Sequence, residues 1–485
     1  MHYLDLGIIL LYLLGVTWFG ARFRGGQKTL SDYFLGGREA PWWAISLSIV
    51  SAETSTLTIV GTPALAFGGN MAFLQIVLGY LLARVVISFI LLPLYFKGQM
   101  FTAYELMQRR FGTNIRRVTA TIFLVTRALA EGVRVFAVSI VISIILGTGE
   151  LASIIVIVCL TLFYTFEGGM TAVIWTDVIQ MGMYVLGASA SFFIILGKIP
   201  GGWPHVAEMA GAAGKFQIFD FAGSPSLQAF FARPYTFWAG ILGGCFLTTA
   251  SHGTDQLIVQ RLLSAKSLRD SRRALFTSWI VVFIQFVLFL LIGILLWVYY
   301  ADNHLLSPTP ADRLYPKFVW DNLPPGVAGL VMAAILAAAM ANLSAALNSL
   351  ASTTVVDFLR GQTQTAASEK RMLWMARLAT IAWGIVLVLI GIVASHWGSV
   401  LTSGLSIASI TLGVLLGVFL LGTLTTKPGE DAAVAGVIIG LTAILYVRFE
   451  TNIAFTWWVL IGSLATFAGG YIASLILPQR THANG

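Results

Sequence analysis

Charge is scarce in this chain. Asp, Glu, Lys and Arg together make up 10% of the 485 residues, where soluble domains carry about 25%. So few charges cannot cover the surface of a water-borne globule of this size. Cysteine is almost missing as well. Cys159 and Cys245 are the only two, both inside apolar stretches, which excludes a disulfide scaffold and any thiolate metal centre. No HExxH, nucleophile elbow or His/Cys/Asp/Glu cluster is present, so the chain is not read as an enzyme. What is abundant is apolar sequence: 58% hydrophobic residues and a mean hydropathy of +0.86.

That sequence falls into thirteen stretches at about 3–21, 42–67, 73–96, 117–146, 150–165, 171–196, 234–252, 274–300, 325–354, 372–395, 399–422, 430–448 and 455–477. A bilayer crossing needs roughly 20 apolar residues. Without water in the hydrocarbon, each stretch has to close its own backbone hydrogen bonds as a helix. The expectation is an all-α integral membrane protein forming one transmembrane domain over 1–485, with no soluble domain left over. The first stretch lacks a basic leader and a small-residue cleavage site before Arg22, so it reads as a retained helix.

The net charge of +8 follows topology and is not a nucleic-acid signal. Arg109, Arg110, Arg116, Arg117, Arg261, Lys266, Arg269, Arg272 and Arg273 fall in loops on one side. The other side keeps Lys198, Lys215, Arg233, Arg313, Lys317 and Arg448. The richer side is cytoplasmic, which places the N-terminus outside and, with an odd span count, the C-terminus inside. Scant extramembrane tails lean towards a bacterial inner membrane. The external segment 198–233 reads equally as a plain connector or as short helices over an entrance.

Two spans are interrupted. The second carries Ser51-Ala52-Glu53-Thr54-Ser55-Thr56-Leu57-Thr58, then Gly61 and Pro63. The seventh carries Gly240, Gly243 and Gly244, then Thr248-Thr249-Ala250-Ser251-His252-Gly253-Thr254. Their odd separation gives them opposite directions through the membrane. Interrupted helices at matching positions of inverted halves point to the binding site of a secondary transporter, because unwound backbone frees oxygens for a cation. The halves are 42–196 and 234–422, preceded by 1–41 and followed by two trailing helices over 430–477.

Charges inside spans are few, and each costs at least about 2.5 kcal/mol at the bilayer centre. They are Arg84, Glu53, Asp177 and a ladder of Arg127, Glu131 and Arg134, whose spacing puts all three on one helix face. Arg84, Arg127 and Glu131 read as structural or coupling charges. Arg134 offers a planar donor fork suited to a carboxylate, and also to a polyhydroxylated ligand. Glu53 has three open roles: cation ligand, acceptor for sugar hydroxyls, or proton carrier. His252 reads as a helix-end residue. The ninth span, 333–354, is rich in Ala, Ser, Asn and Thr, a small-residue wall that lets helices approach closely and sets oxygens for a hard cation.

The motifs Ser31-Asp32-Tyr33-Phe34-Leu35-Gly36-Gly37-Arg38 with Pro41-Trp42-Trp43, Thr102-Ala103-Tyr104-Glu105, Tyr164 to Gln180, Thr254-Asp255-Gln256 and Leu347-Asn348-Ser349 resemble the solute:sodium symporter family over nearly the whole chain. The resemblance implies a leucine-transporter-like five-plus-five inverted repeat, sodium as coupling ion and symport of a small polar organic solute, a sugar or an organic anion; the oligomeric state stays open, with function as a monomer the expectation. Its sodium site looks like Ser51, Thr54, Ala338, Ala341 and Asn342, although the family usually has two consecutive hydroxyls where Ala341 and Asn342 stand. A second cation position looks like Asp177, Ser344 and Ala345. Substrate positions of the sialic-acid-like branch look like Ser55, Thr56, Thr58 and Arg134, joined by Glu53 from the charge argument. The glutamine that branch carries on its third span aligns with Val77, a departure. A proton-coupled symporter using Glu53 and a sodium-independent uniporter are the alternatives.

Overall fold

The computed structural model describes residues 3–23, 28–97, 100–146, 149–221, 223, 226–307, 311–359, 366–394 and 400–477. Its long elements are all helices: α1 (Tyr3–Ala21), α2 (Trp42–Glu53), α3 (Thr56–Gly68), α4 (Leu74–Val86), α5 (Thr113–Leu146), α6 (Glu150–Lys198), α7 (Phe237–Gly253), α8 (Gln256–Leu263), α9 (Leu268–Asp302), α10 (Val327–Thr353), α11 (Ala366–Ala394), α12 (Val400–Leu424), α13 (Glu430–Glu450) and α14 (Trp458–Ile476). Among the described residues nine helices are long and apolar enough to cross a membrane, ten if the bent pair α2 and α3 counts as one span. The chain is a multi-pass membrane protein.

The remaining expected spans are helical as well. Helix α5 carries the Arg127, Glu131 and Arg134 ladder, α7 has 17 residues, and the apolar start of α6 covers Leu151–Phe163. The expected fifth and sixth spans form one 49-residue helical run broken at Gly169, where φ +53 and ψ −150 suit glycine alone.

Helix α10 sits at the centre. Of its apolar window 94% is buried, against 28% for α1 and 33% for α14; side chains small enough to be surrounded on every face place it there. Helix α1 is tied to its start, because Asp5 Oδ1 accepts from Gly326 N at 2.7 Å and Gly329 N at 2.8 Å, satisfying amides that a helix start leaves open. Helices α4 and α7 touch backbone to backbone: a Cβ on Gly244 would stand 2.2 Å from the Ile76 carbonyl oxygen.

The external segment holds short helices at Gly202–Ala212 and Leu227–Ala232. Lys215 seals it to the end of α3, donating to Phe67 O at 2.7 Å beside the Trp297 ring. Its ammonium has a lowered pKa, because burial disfavours the charge.

Candidate functional site

The first break lies between α2 and α3, whose axes bend by 65°. Helix α2 stops because Ser55 N turns to Thr58 Oγ1 at 3.3 Å and so does not bond the Ser51 carbonyl. Helix α3 restarts as Thr58 N and Ile59 N bond Ser55 O. Thr54 Oγ1 accepts from Gln285 Nε2 of α9 at 2.8 Å. The Tyr184 hydroxyl lies next to Ser51 and Thr54. Ser51 Oγ, Thr56 Oγ1 and Tyr184 Oη are buried without hydrogen-bonding geometry to any protein group. Buried polar atoms are nearly always satisfied, so three orphans at one break mark a place built for a polar guest. Its donor set, hydroxyls and frayed carbonyls, suits a hard cation such as sodium.

Helix α10 faces this break. Ala338, Ala341 and Asn342 are all buried, and Asn342 Nδ2 donates to Ala52 O at 2.7 Å. Thus Ser51, Thr54 and Asn342 gather at one place. Ala338 and Ala341 lie one turn or less away on the same helix, with only carbonyls to offer. The Ala341 carbonyl already accepts from Ser344 Oγ at 3.0 Å.

The second break differs in place and in character. The glycine- and threonine-rich run of the seventh span, expected to interrupt it, is continuous helix through Gly253. The break falls at the last residue of that run, Thr254, and at Asp255. The following helix α8, expected as part of a basic internal loop, is buried along its whole length. Asp255 caps it by accepting from Leu257 N at 2.9 Å. Arg261, expected in that loop, is 1% exposed and pairs with Asp177 at 2.8 Å.

The two breaks are joined by the ladder on α5. Arg127 pairs with Asp255, and with Glu131 at 3.0 Å. Glu131 Oε1 accepts from Arg134, whose NH1 also donates to Asn342 Oδ1 at 3.0 Å. A continuous run of polar contacts therefore leads from Asp255 through Arg127, Glu131, Arg134 and Asn342 to the Ala52 carbonyl. A second link is shorter. Glu53 Oε2 accepts from Arg84 NH2 at 3.1 Å and lies 3.1 Å from His252 Nε2, whose Nδ1 is 2.9 Å from Ser251 Oγ. His252 thus ends α7 as expected, and also meets Glu53 across the site.

Two cavities adjoin these contacts. The larger, ≈ 170 Å³, is walled by Glu53, Arg127, Arg134, Ser251, His252 and Asp255 among others. The smaller, ≈ 10 Å³, is lined by Ser55, Thr56, Glu131, Arg134 and Asn342; it has room for about one water. Arg134 borders both and keeps 27% of its side chain exposed, against 1% for Glu131. Thr58 turns back to cap Ser55 and lines neither cavity.

The residues resembling a second cation position are spread over other duties. Asp177 Oδ2 accepts from Ser48 Oγ at 2.5 Å and from Arg261, so a protein cation serves it. Ser344 bonds its own helix, and Ala345 offers a methyl group. Asp255, Arg261 and Gln285 are the contributors that sequence reasoning missed. For Asp255 the signal was present: an Asp directly before an apolar-periodic run is a helix-start pattern.

Comparisons with known proteins place the chain in a family. The sodium/sialic acid symporter SiaT of Proteus mirabilis is 28% identical over 487 residues, covering 99% of this chain and 96% of that one. Sodium-coupled monocarboxylate transporter 1 of Xenopus laevis is 27% identical over 93% of this chain and 72% of its own length. A solved structure of a Na+-coupled sialic acid symporter, in a substrate-bound outward-open state, superposes with a TM-score of 0.87 at 27% identity, covering 99% of both chains. The model of the sodium:solute symporter family matches residues 33–440, and with that match spanning most of the sequence, the chain belongs to the sodium:solute symporter family.

Proposed function

We propose that the solute is a small organic carboxylate, of the kind the sialic acid and monocarboxylate symporters carry, bound beside the first break. Sodium-coupled symport of an organic solute is the activity of this family, and transport, not catalysis, is what its members perform. The observation that carries the substrate class is Arg134: a guanidinium at the border of both cavities, with NH1 engaged and more of its surface exposed than either ladder partner. Among the described residues no bond leaves its Nε or NH2, the pair of donors that grips a carboxylate in parallel. The orphaned hydroxyls of Ser51 and Thr56 supply polar contacts on the sodium side, with Ser51, Thr54 and the carbonyls of Ala338 and Ala341 as ion ligands.

The wider reading is thirteen crossings with the N-terminus outside, a bacterial inner-membrane location, and inverted halves at 42–196 and 234–422 that alternate access to the midplane. One sodium ion entering across about 100 mV and a tenfold gradient releases roughly 3.7 kcal/mol, on the order of 500-fold accumulation. A single ion suffices for useful uptake.

The test is competition. Purified protein in sodium buffer is titrated with sialic acid, lactate, their amides and neutral hexoses, following intrinsic tryptophan fluorescence. The carboxylates bind, the amides and hexoses bind at least tenfold more weakly, and Arg134→Gln erases the difference. Hexose binding that matches the acids, in the parent and in Arg134→Gln alike, rejects the carboxylate reading.

A further inference from the structure

The side-chain amide of Asn342 stands where two demands meet. Its nitrogen donates to the Ala52 carbonyl at the first break, 2.7 Å away, and its oxygen accepts from Arg134 NH1 at 3.0 Å. Both ends are fixed by chemistry: a backbone carbonyl only accepts and a guanidinium only donates. The amide therefore cannot be turned around without breaking both bonds. In this arrangement the one side-chain oxygen that α10 has in the sodium position points away from the break. One carbonyl of the break is occupied by an N–H as well.

The geometry points to Asn342 as the residue that couples solute to ion, an inference that rests on the carboxylate and sodium readings above. A carboxylate gripped by Nε and NH2 of Arg134 pulls the whole planar guanidinium towards itself, and NH1 away from Asn342. The freed amide then rotates, turning Oδ1 to the break and releasing Ala52 O, so two oxygens become available to sodium at once. Taken the other way, sodium that captures Oδ1 releases Arg134 NH1, so that the guanidinium is free to move onto the carboxylate. Each ligand removes the contact that opposes the other, and linkage makes the two effects equal in size. The neighbouring ladder contacts do not share this property, since the bonds of Arg127 to Asp255 and Glu131 join fully charged partners. The tie at Asn342 is the one between a charge and a neutral amide. It is therefore the weak joint at which the run of contacts opens. One charge-assisted hydrogen bond corresponds to a factor of about ten.

The experiment is a mutant cycle on sodium binding alone, with no solute present. Wild type, Arg134→Gln, Asn342→Ser and the double variant are titrated with sodium against choline, reading intrinsic tryptophan fluorescence and the sodium-induced rise in melting temperature. Arg134→Gln tightens sodium about tenfold in the wild-type background, and Asn342→Ser alone does the same by replacing a tied amide with an untied hydroxyl. In the Asn342→Ser background, Arg134→Gln adds no more than about twofold. Equal gains in both backgrounds would mean that only the removed charge acts, and would overturn the inference. So would weaker sodium binding in either single variant. Should Arg134→Gln fail to fold, the Asn342→Ser arm decides: sodium affinity unchanged from wild type rejects the tie. Failure of the carboxylate reading shows separately, as unaltered sialic acid and lactate titrations in Arg134→Gln; absence of any sodium response in all four proteins rejects the ion reading.

Discussion

The two broken spans are built from similar residues and finished in opposite ways. At Thr254–Asp255 the side chains of the break itself are satisfied, with the Tyr104 hydroxyl beside them the exception. Thr254 N and Oγ1 bond Ala250 O, Asp255 caps α8 and binds Arg127, and Tyr95 closes the Gly253 carbonyl at 2.6 Å. At Thr54–Ser55 the hydroxyls of Ser51, Thr56 and Tyr184 lack hydrogen bonds of good geometry, Tyr184 only lying against Ser51 and Thr54, and the amide of Asn342 reaches in from α10. A fully satisfied break is a joint, able to hold an angle and transmit movement. An unsatisfied one is what a binding site requires, which is why the first break is the candidate. Composition alone did not separate them, because Ser, Thr and Gly serve both purposes.

The contrast can be broken most forcefully at its charged side. Arg127→Met strands Asp255 in buried surroundings, while Glu131 keeps Arg134, and lowers stability by about 3–5 kcal/mol, read as a lower melting temperature in detergent; a loss below about 1 kcal/mol would mean the second break is not held by charge. Gly244→Ala pushes a methyl group into the Ile76 carbonyl and costs about 1–3 kcal/mol, seen in the same melting assay, because α7 cannot leave α4 without moving its break. Glu53→Gln sits where the breaks meet. It keeps an acceptor for Arg84 but leaves that buried guanidinium without its carboxylate, so the melting temperature falls and uptake into liposomes, measured per folded protein, falls at least tenfold; uptake at the wild-type rate removes Glu53 from the mechanism. The smallest effect is the sharpest discriminator. Ser51→Ala deletes an orphan hydroxyl, so stability stays within about 0.5 kcal/mol or rises, yet the sodium needed for half-maximal uptake climbs severalfold. Thr254→Ala does the reverse, lowering the melting temperature and leaving sodium dependence alone.

Much of this was legible beforehand. The apolar stretches predicted the helices, since a bilayer leaves the backbone no alternative, and the spacing of Arg127, Glu131 and Arg134 predicted their shared face. The run Ser51 to Thr58 marked the first break correctly. The second falls only at Thr254, the end of the run that marked it, because Gly240 and Gly244 serve close packing against α4, which looks in sequence like unwinding. Arg261 was assigned to a loop because an arginine in a short basic stretch reads as solvated; its burial depends on Asp177, 84 residues away in the chain. The same holds for Asn342. Its departure from the usual hydroxyl pattern was plain, but its two partners lie 208 and 290 positions distant, and no local pattern reports contacts of that range.

The central claim is that sodium and an organic carboxylate cross together. Liposomes holding the purified protein, with radiolabelled sialic acid or lactate outside, pH equal on both sides and sodium imposed inwardly, test it directly. Accumulation should overshoot the external concentration and collapse when sodium is equalised. Uptake that proceeds identically with choline in place of sodium would contradict the account.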